Sequence, residues 1–113
     1  MSFQIKSAAD VKPACPFDGL ERRVLTYDSG SMLCHFTEEA GTEVALHTHE
    51  AAQHGYILKG AVRFYSQDGS DFVARPGDGY YFPPMYPHGS VALEVSELVE
   101  FFLPCREDYI PQT

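Results

Sequence analysis

The sequence predicts a single all-β domain made of two packed sheets, either a sandwich or a closed barrel. From residue 20 onward, short apolar runs alternate at regular spacing with turn residues, which is the pattern of consecutive β-strands. The strand-favouring residues Tyr, Phe and Val are frequent, and no window carries the 3.6-residue apolar repeat of a long helix. A chain of 113 residues has room for one such domain. We favour the double-sheet jelly roll, because this architecture also protects the edges of its sheets.

The chain begins with an irregular lead-in. Residues 1–19 contain two prolines and a glycine and predict an N-terminal arm. Phe3 and Ile5 alternate with polar neighbours, so the arm can add an edge strand to its own sheet or to that of a partner. Residues 20–113 then form the barrel domain.

Turn sequences separate the predicted strands. In Arg75-Pro76-Gly77-Asp78, Pro and then Gly stand where a type II turn requires a fixed φ followed by a positive φ. Residues 83–87 hold three prolines, too many for a helix or a central strand, and predict a rigid loop. The predicted strands are residues 20–27, 32–37, 43–49, 53–58, 61–66, 71–75, 79–82, 89–93 and 97–103.

The charge and the cysteines narrow the function classes. Sixteen acidic and eight basic residues give a net charge of −8, which would repel a nucleic acid backbone. No apolar stretch approaches the ~18 residues of a membrane span, and the N-terminus lacks the apolar core of a signal peptide, so we expect a cytoplasmic protein. The three cysteines show no paired spacing and predict reduced thiols.

Three histidines and one glutamine predict a metal site. His47 and His49 are two residues apart, so in a strand both side chains leave the same face and can bind one ion. A bend before the next strand would bring the amide oxygen of Gln53 to the same ion, and His88 follows the rigid proline loop. Imidazole and carbonyl donors suit one divalent transition metal, with Zn, Ni, Fe or Mn all compatible. These neutral ligands leave the ion its full charge, which favours an anionic substrate and Lewis-acid chemistry.

The spacing of these residues resembles the two signature motifs of the cupin superfamily. Its first motif, Gly-x5-His-x-His-x3-Glu-x6-Gly, is matched by Gly41, His47, His49 and Gly60, with Gln53 in place of Glu. Its second motif, Gly-x5-Pro-x-Gly-x2-His-x3-Asn, is matched by Gly77, Pro83 and His88, with Met85 and Ala92 in place of Gly and Asn. The resemblance implies a double-stranded β-helix (jelly-roll) barrel that holds a metal.

The C-terminal residues carry a second set of candidates. Glu100 and Phe102 share a face of the last predicted strand, and Arg106 follows a proline that ends it. If that face lies inside the barrel, the buried charges must be paired or functional. A structural Glu100–Arg106 ion pair is the simpler alternative.

With these residues the chain resembles a narrower group of cupins, the KdgF family of pectin and alginate degradation. That family shares a His-x-His, Gln and His metal site and a C-terminal Asp-x-Phe-x-Pro-x-Arg-Glu-Asp. The resemblance implies an enzyme that converts 4,5-unsaturated monouronates to linear keto-uronates. Its catalytic Asp falls on Glu100, and its active-site Phe and Arg fall on Phe102 and Arg106.

Other functions remain open at this point. A small metal-dependent dioxygenase, another isomerase or cyclase, and a non-catalytic cupin that binds a sugar acid all fit the same ligands. His35 lies in a predicted strand and His54 is out of phase with Gln53, and both are expected to be structural. Exposed aromatics such as Phe3, Tyr56 and Tyr65 would face outward, and we expect a homodimer.

Overall fold

The computed structural model describes residues 3–111, in which nine strands form two antiparallel sheets. Two short 3-10 helices, Ala8–Asp10 and Glu107–Tyr109, lie outside the sheets. The strands are β1 Leu20–Asp28, β2 Ser31–Glu38, β3 Glu43–His47, β4 Ala52–Lys59, β5 Val62–Tyr65, β6 Asp71–Ala74, β7 Gly79–Phe82, β8 His88–Ala92 and β9 Ser96–Leu103.

The two sheets face each other across a common core. The five-stranded sheet has the order β1-β2-β9-β4-β7, and the four-stranded sheet has the order β3-β8-β5-β6. Alternate residues of each strand point inward, and the most buried of them are apolar. Met32, Ile57, Val62, Leu98 and Phe102 are each at most 2% exposed. The predicted all-β jelly roll is confirmed.

Each predicted strand is present, and most boundaries differ by one residue. The exception is β3, which ends at His47, two residues earlier than predicted. His49 therefore lies in the loop after the strand, and the argument that both histidines leave one strand face is wrong. The predicted turn at residues 75–78 forms, with Gly77 at a φ of 93° and a hydrogen bond from Asp78 N to Arg75 O.

The N-terminal arm follows the sheet without forming a strand in residues 3–7. The side-chain amide of Gln4 takes the place of a peptide group, donating to Tyr27 O at 2.7 Å and accepting from Tyr27 N at 3.1 Å. Phe3 and Ile5 are 90% and 87% exposed. Pairing of the arm with a partner's sheet, and the domain boundary at residue 20, stay predictions.

Aromatic side chains do lie on the outer face. Tyr56 is half exposed, whereas Tyr65 is only partly exposed because its ring lies against Gly89. Within residues 3–111, no helix is long and apolar enough to cross a membrane. None of the three cysteines is disulfide-bonded.

Candidate metal centre

The structure brings three histidines together where β3 and β8 meet. His47 ends β3 opposite His88, the first residue of β8, and His49 follows in the loop. The ring centroids are 4.5 Å apart for His47 and His88, 4.9 Å for His49 and His88, and 5.5 Å for His47 and His49. One ligand nitrogen from each ring lies within 4.8 Å of the others. This is the separation expected of side chains that can surround a single ion.

Backbone carbonyls orient all three rings in the same way. A carbonyl oxygen only accepts hydrogen bonds, so each Nδ1 must carry the hydrogen and donate it. The Nε2 atom of each neutral ring is then left with a free lone pair, which is the arrangement found in metal-binding histidines. The hydrogen bonds run from His47 to Ala45 O at 2.8 Å, from His49 to Ala51 O at 2.7 Å and from His88 to Tyr86 O at 2.8 Å.

His88 gives the clearest indication of a missing ligand. Its side chain is 4% exposed, and its Nε2 is buried without a hydrogen-bond partner among the described residues. The ring stacks on Phe82 with centroids 4.3 Å apart. Burial lowers the pKa of His88 to about 4, so the ring is neutral at pH 7. An unpaired lone pair in such a place is costly unless a ligand meets it.

The proline loop ties His88 to the loop that carries His49. Met85, which adopts a φ of 62°, donates its backbone N–H to His49 O at 2.8 Å. A turn closes the loop, with Tyr86 N donating to Pro83 O at 3.1 Å. The loop thereby fixes two of the three imidazoles relative to one another.

Gln53 lies beside His49 in the histidine cluster. It is buried, and its Oε1 lies 3.0 Å from Nε2 of His49. Burial lowers the pKa of His49, so this contact joins two lone pairs rather than a donor and an acceptor. A cation beside both atoms would remove that repulsion. Three imidazole nitrogens and one amide oxygen fit a divalent transition metal, and we propose all four residues as its ligands.

Glu100 is linked to the same site through Gln53. Its carboxylate is 7% exposed, and Oε2 accepts hydrogen bonds from Gln53 Nε2 and from the Tyr80 hydroxyl, both at 2.6 Å. Burial raises the pKa of Glu100 to about 7, against the opposing effects of these two hydrogen bonds and of Arg106. Oε1 accepts no hydrogen bond from the described residues. Glu100 therefore has one anchored oxygen and one available oxygen.

Sequence reasoning missed Tyr80, although Gly55 signals it. Gly55 lies between Tyr80 on β7 and Glu100 on β9 in the sheet register. A Cβ at position 55 would come within 2.3 Å of the Tyr80 ring, so only glycine lets the phenol cross β4 to the carboxylate. A glycine inside a strand is a known mark of such close approach.

Arg106 lies beside the site but does not pair with Glu100. Its Nε and Nη2 donate to the Asp108 carboxylate at 3.2 and 2.9 Å, so the structural Glu100–Arg106 pair is not formed. The guanidinium carbon lies 4.1 Å from the centroid of the Tyr109 ring and 5.4 Å from that of Phe102. Nη1 is buried without a partner among the described residues. Nη1 of Arg106 is therefore available to donate a hydrogen bond to a ligand.

Phe102 is packed more tightly than the sequence suggested. It is 1% exposed and meets the rings of His49 and Tyr109 edge-on, with centroids 5.9 and 5.5 Å away. Phe102 thus packs against His49 and against Tyr109, the ring that Arg106 contacts. His54 lies on the outer face, as strand alternation predicted, and contacts Tyr81. His35 also lies on the outer face, where it pairs with Glu97 at 2.7 Å.

Open space borders the site on two sides. An interior cavity of about 60 Å³ is lined by His47, Gln53, His88 and Glu100. A wider surface depression of about 590 Å³ is lined by His49 and Arg106. Glu100 and three of the ligand candidates thus border the interior cavity, whereas His49 and Arg106 border the surface depression.

Comparison with known proteins assigns the family. A profile described as the cupin domain matches residues 34–102, more than half of the chain. The chain belongs to the cupin family. Both motifs that predicted it lie wholly within this match, and the likeness to KdgF is also confirmed by structure.

Solved cupins share the whole of this fold. An RmlC-like cupin from Shewanella frigidimarina is 27% identical with a TM-score of 0.88, over 96% of this chain and 97% of that chain. KdgF from Halomonas sp. is 25% identical with a TM-score of 0.89, over 96% and 100% of the two chains. The polyketide cyclase RemF from Streptomyces resistomycificus, at 22% identity and a TM-score of 0.78 over 94% and 81%, is similar in fold alone. Comparison with curated protein sequences gives no significant match.

Proposed function

We propose that this cupin is an enzyme that opens 4,5-unsaturated monouronates to linear keto-uronates. The observation that carries the proposal is a buried carboxylate with one free oxygen, Glu100 Oε1, in the same site as a guanidinium with one free donor, Arg106 Nη1. The substrate has a carboxylate that Arg106 can bind and exchangeable protons that Glu100 can transfer. The full-length structural likeness to KdgF supports the same substrate class.

The reaction is an isomerisation that requires only proton transfers. A proton leaves the C1 hydroxyl, the C1–O5 bond breaks, and a carbonyl forms at C1. The electron pair of the broken bond stays on the ring oxygen as an enolate. C4 then takes up a proton as the C5 carbonyl forms, so no oxidant and no net water are consumed. One acid–base group that first accepts and then donates a proton is sufficient.

The chain supplies the groups that this reaction needs. Glu100 exchanges the protons through Oε1, while Tyr80 and Gln53 hold Oε2 in place. Arg106 binds the substrate carboxylate, and Asp108 fixes the orientation of its guanidinium. A divalent metal held by His47, His49, Gln53 and His88 would supply a positive charge that polarises substrate oxygens.

The assembly and location of the protein belong to the same proposal. Large apolar side chains, including Tyr56, Leu58, Tyr81 and Phe101, are 38–50% exposed on the five-stranded sheet. Such a face is suited to pairing with a second copy. We retain the predictions of a homodimer and of a cytoplasmic location.

Turnover of an unsaturated uronate tests the reaction directly. We expect the metal-loaded protein to accelerate the loss of ultraviolet absorbance of the conjugated double bond in unsaturated galacturonate or in its alginate counterpart. The spontaneous rate without protein is the baseline. If fully metal-loaded protein accelerates neither, the uronate assignment fails and the remaining cupin activities take its place.

Replacing Arg106 by Lys is expected mainly to raise KM. The substrate carboxylate is present in the ground state and in the transition state, so its binding affects both alike. Lys keeps the charge but loses the planar fork of donors. Steady-state kinetics of the same reaction measure the effect.

Arg63→Lys is the matched control, because Arg63 is an exposed partner of Asp71 and lines neither of the two spaces that border the site. It should leave both kinetic constants unchanged. An unchanged KM in Arg106→Lys would contradict the assigned carboxylate contact.

A further inference from the structure

The interior cavity that Glu100 lines is also lined by two charged side chains that the proposed reaction does not use. Arg22 lies on β1 between the buried residues Leu20 and Val24, and Glu38 ends the inward-facing row of β2. Both line the cavity of about 60 Å³ that is also bordered by the ligand candidates His47, Gln53 and His88. Neither charged side chain makes an ion pair with a described residue, so their place in this cavity requires an explanation.

Glu38 is a buried carboxylate with an unused acceptor. It is 5% exposed, and its Oε1 is buried without a hydrogen-bond partner among the described residues. Burial raises the pKa of Glu38 to about 7, and the charge of Glu100 adds to that effect. Neither oxygen receives a hydrogen bond from the part of the chain that the structure describes. A buried carboxyl group of this kind lowers stability unless a ligand meets it.

Arg22 presents the complementary donor. Its Nε is buried without a hydrogen-bond partner in residues 3–111. Its guanidinium carbon lies 3.8 Å from the centroid of the Tyr109 ring, the ring that Arg106 also contacts. The contact with the aromatic ring stabilises the charge without using its N–H groups. Arg22 is therefore held in place with at least one donor free.

We propose that Arg22 and Glu38 form a second polar subsite that binds hydroxyl groups of a sugar acid. A guanidinium only donates hydrogen bonds and a carboxylate accepts them, whereas a hydroxyl group does both. The cavity has room for a few hydroxyl groups, since a group of this size needs about 10–15 Å³, but it is too small for a whole additional sugar ring. The identity of the ligand rests on the proposed function, in which Arg106 takes the carboxylate of the same molecule.

Binding of two ring carboxylates tests the subsite without any catalysis. D-Galacturonate has hydroxyl groups but lacks the double bond that is consumed, and cyclohexanecarboxylate has a similar ring and no hydroxyl. We expect the metal-loaded wild type to bind galacturonate more tightly by calorimetry. Glu38→Gln should weaken galacturonate binding by about 10- to 100-fold, the usual effect of losing a hydrogen bond to a charged group. It should leave cyclohexanecarboxylate binding unchanged.

Two further variants complete the experiment. Glu39→Gln makes the same chemical change at the next residue, which is exposed, and should bind both ligands as the wild type does. Glu38→Asp keeps the charge but withdraws the carboxylate by one methylene, and should show the same selective loss even if Glu38→Gln fails to fold.

The outcomes separate this inference from the proposed reaction. Equal losses for both ligands, an unchanged galacturonate affinity, or a wild type that does not prefer galacturonate would each overturn the subsite. A selective loss in protein that does not turn over unsaturated uronates would support the subsite and reject the reaction. Normal turnover with no effect of Glu38→Gln on galacturonate binding would reject the subsite and retain the reaction.

Discussion

Replacing Glu100 by Gln is expected to lower kcat by about 10²–10⁴-fold, the usual contribution of a positioned acid–base group. The amide cannot accept and return a proton, but it has the same shape as the carboxylate. Its oxygen can occupy the place of Oε2 and accept from Gln53 and Tyr80, which both donate at 2.6 Å in the wild type. Folding and metal content should therefore be unchanged. Absorbance kinetics and metal analysis on the same sample measure both.

Glu97→Gln is the control for this change. Glu97 lies on the same strand but points outward to His35, so its substitution should leave turnover intact. If Glu100→Gln turns over as fast as the wild type, the uronate assignment survives and Glu100 is not the proton-transferring residue. If activity is lost together with the metal, the carboxylate acts through Gln53 and not on the substrate.

The metal-ligand candidates could be predicted from sequence because spacing along the chain limits which donors can meet. The strand register places His47 opposite His88 in agreement with this expectation. His49 lies beside the other two histidines for a different reason from the one predicted, because β3 ends at His47 and the proline loop fixes the backbone at His49. Motif spacing thus predicts which donor residues come together, whereas the position of each side chain depends on loop contacts.

Contacts between distant strands were harder to predict. Tyr80 reaches Glu100 only because Gly55 between them has no side chain, and neither residue belongs to a chemical motif. Arg106 was expected near the site, but its pairing with Asp108 depends on the turn that follows Pro104. Side-chain pairing of this kind is decided by packing in three dimensions, to which strand alternation contributes only the direction of each residue.

Replacing His88 by Ala is expected to weaken metal binding at least about 100-fold, because the loss of even an outer partner of a metal ligand costs about 10–100-fold. His88 Nε2 is a buried lone pair that lacks a partner among the described residues and lies in the histidine cluster, so the site depends on it directly. At a metal concentration of about 100 times the wild-type Kd, binding should add about 2.7 kcal/mol to the free energy of unfolding of the wild type. By the same relation, the variant should gain only about 0.4 kcal/mol.

Thermal or denaturant unfolding with Zn²⁺, Ni²⁺ or Mn²⁺ added singly to chelator-treated protein measures this gain. Comparing each protein with and without metal removes the cost of the space that His88→Ala leaves against Phe82. His54→Ala removes an exposed imidazole from the outer face and should retain the full wild-type gain. An equal gain in His88→Ala and in the wild type would show that the ion binds elsewhere, and the four proposed ligands would then have to be abandoned.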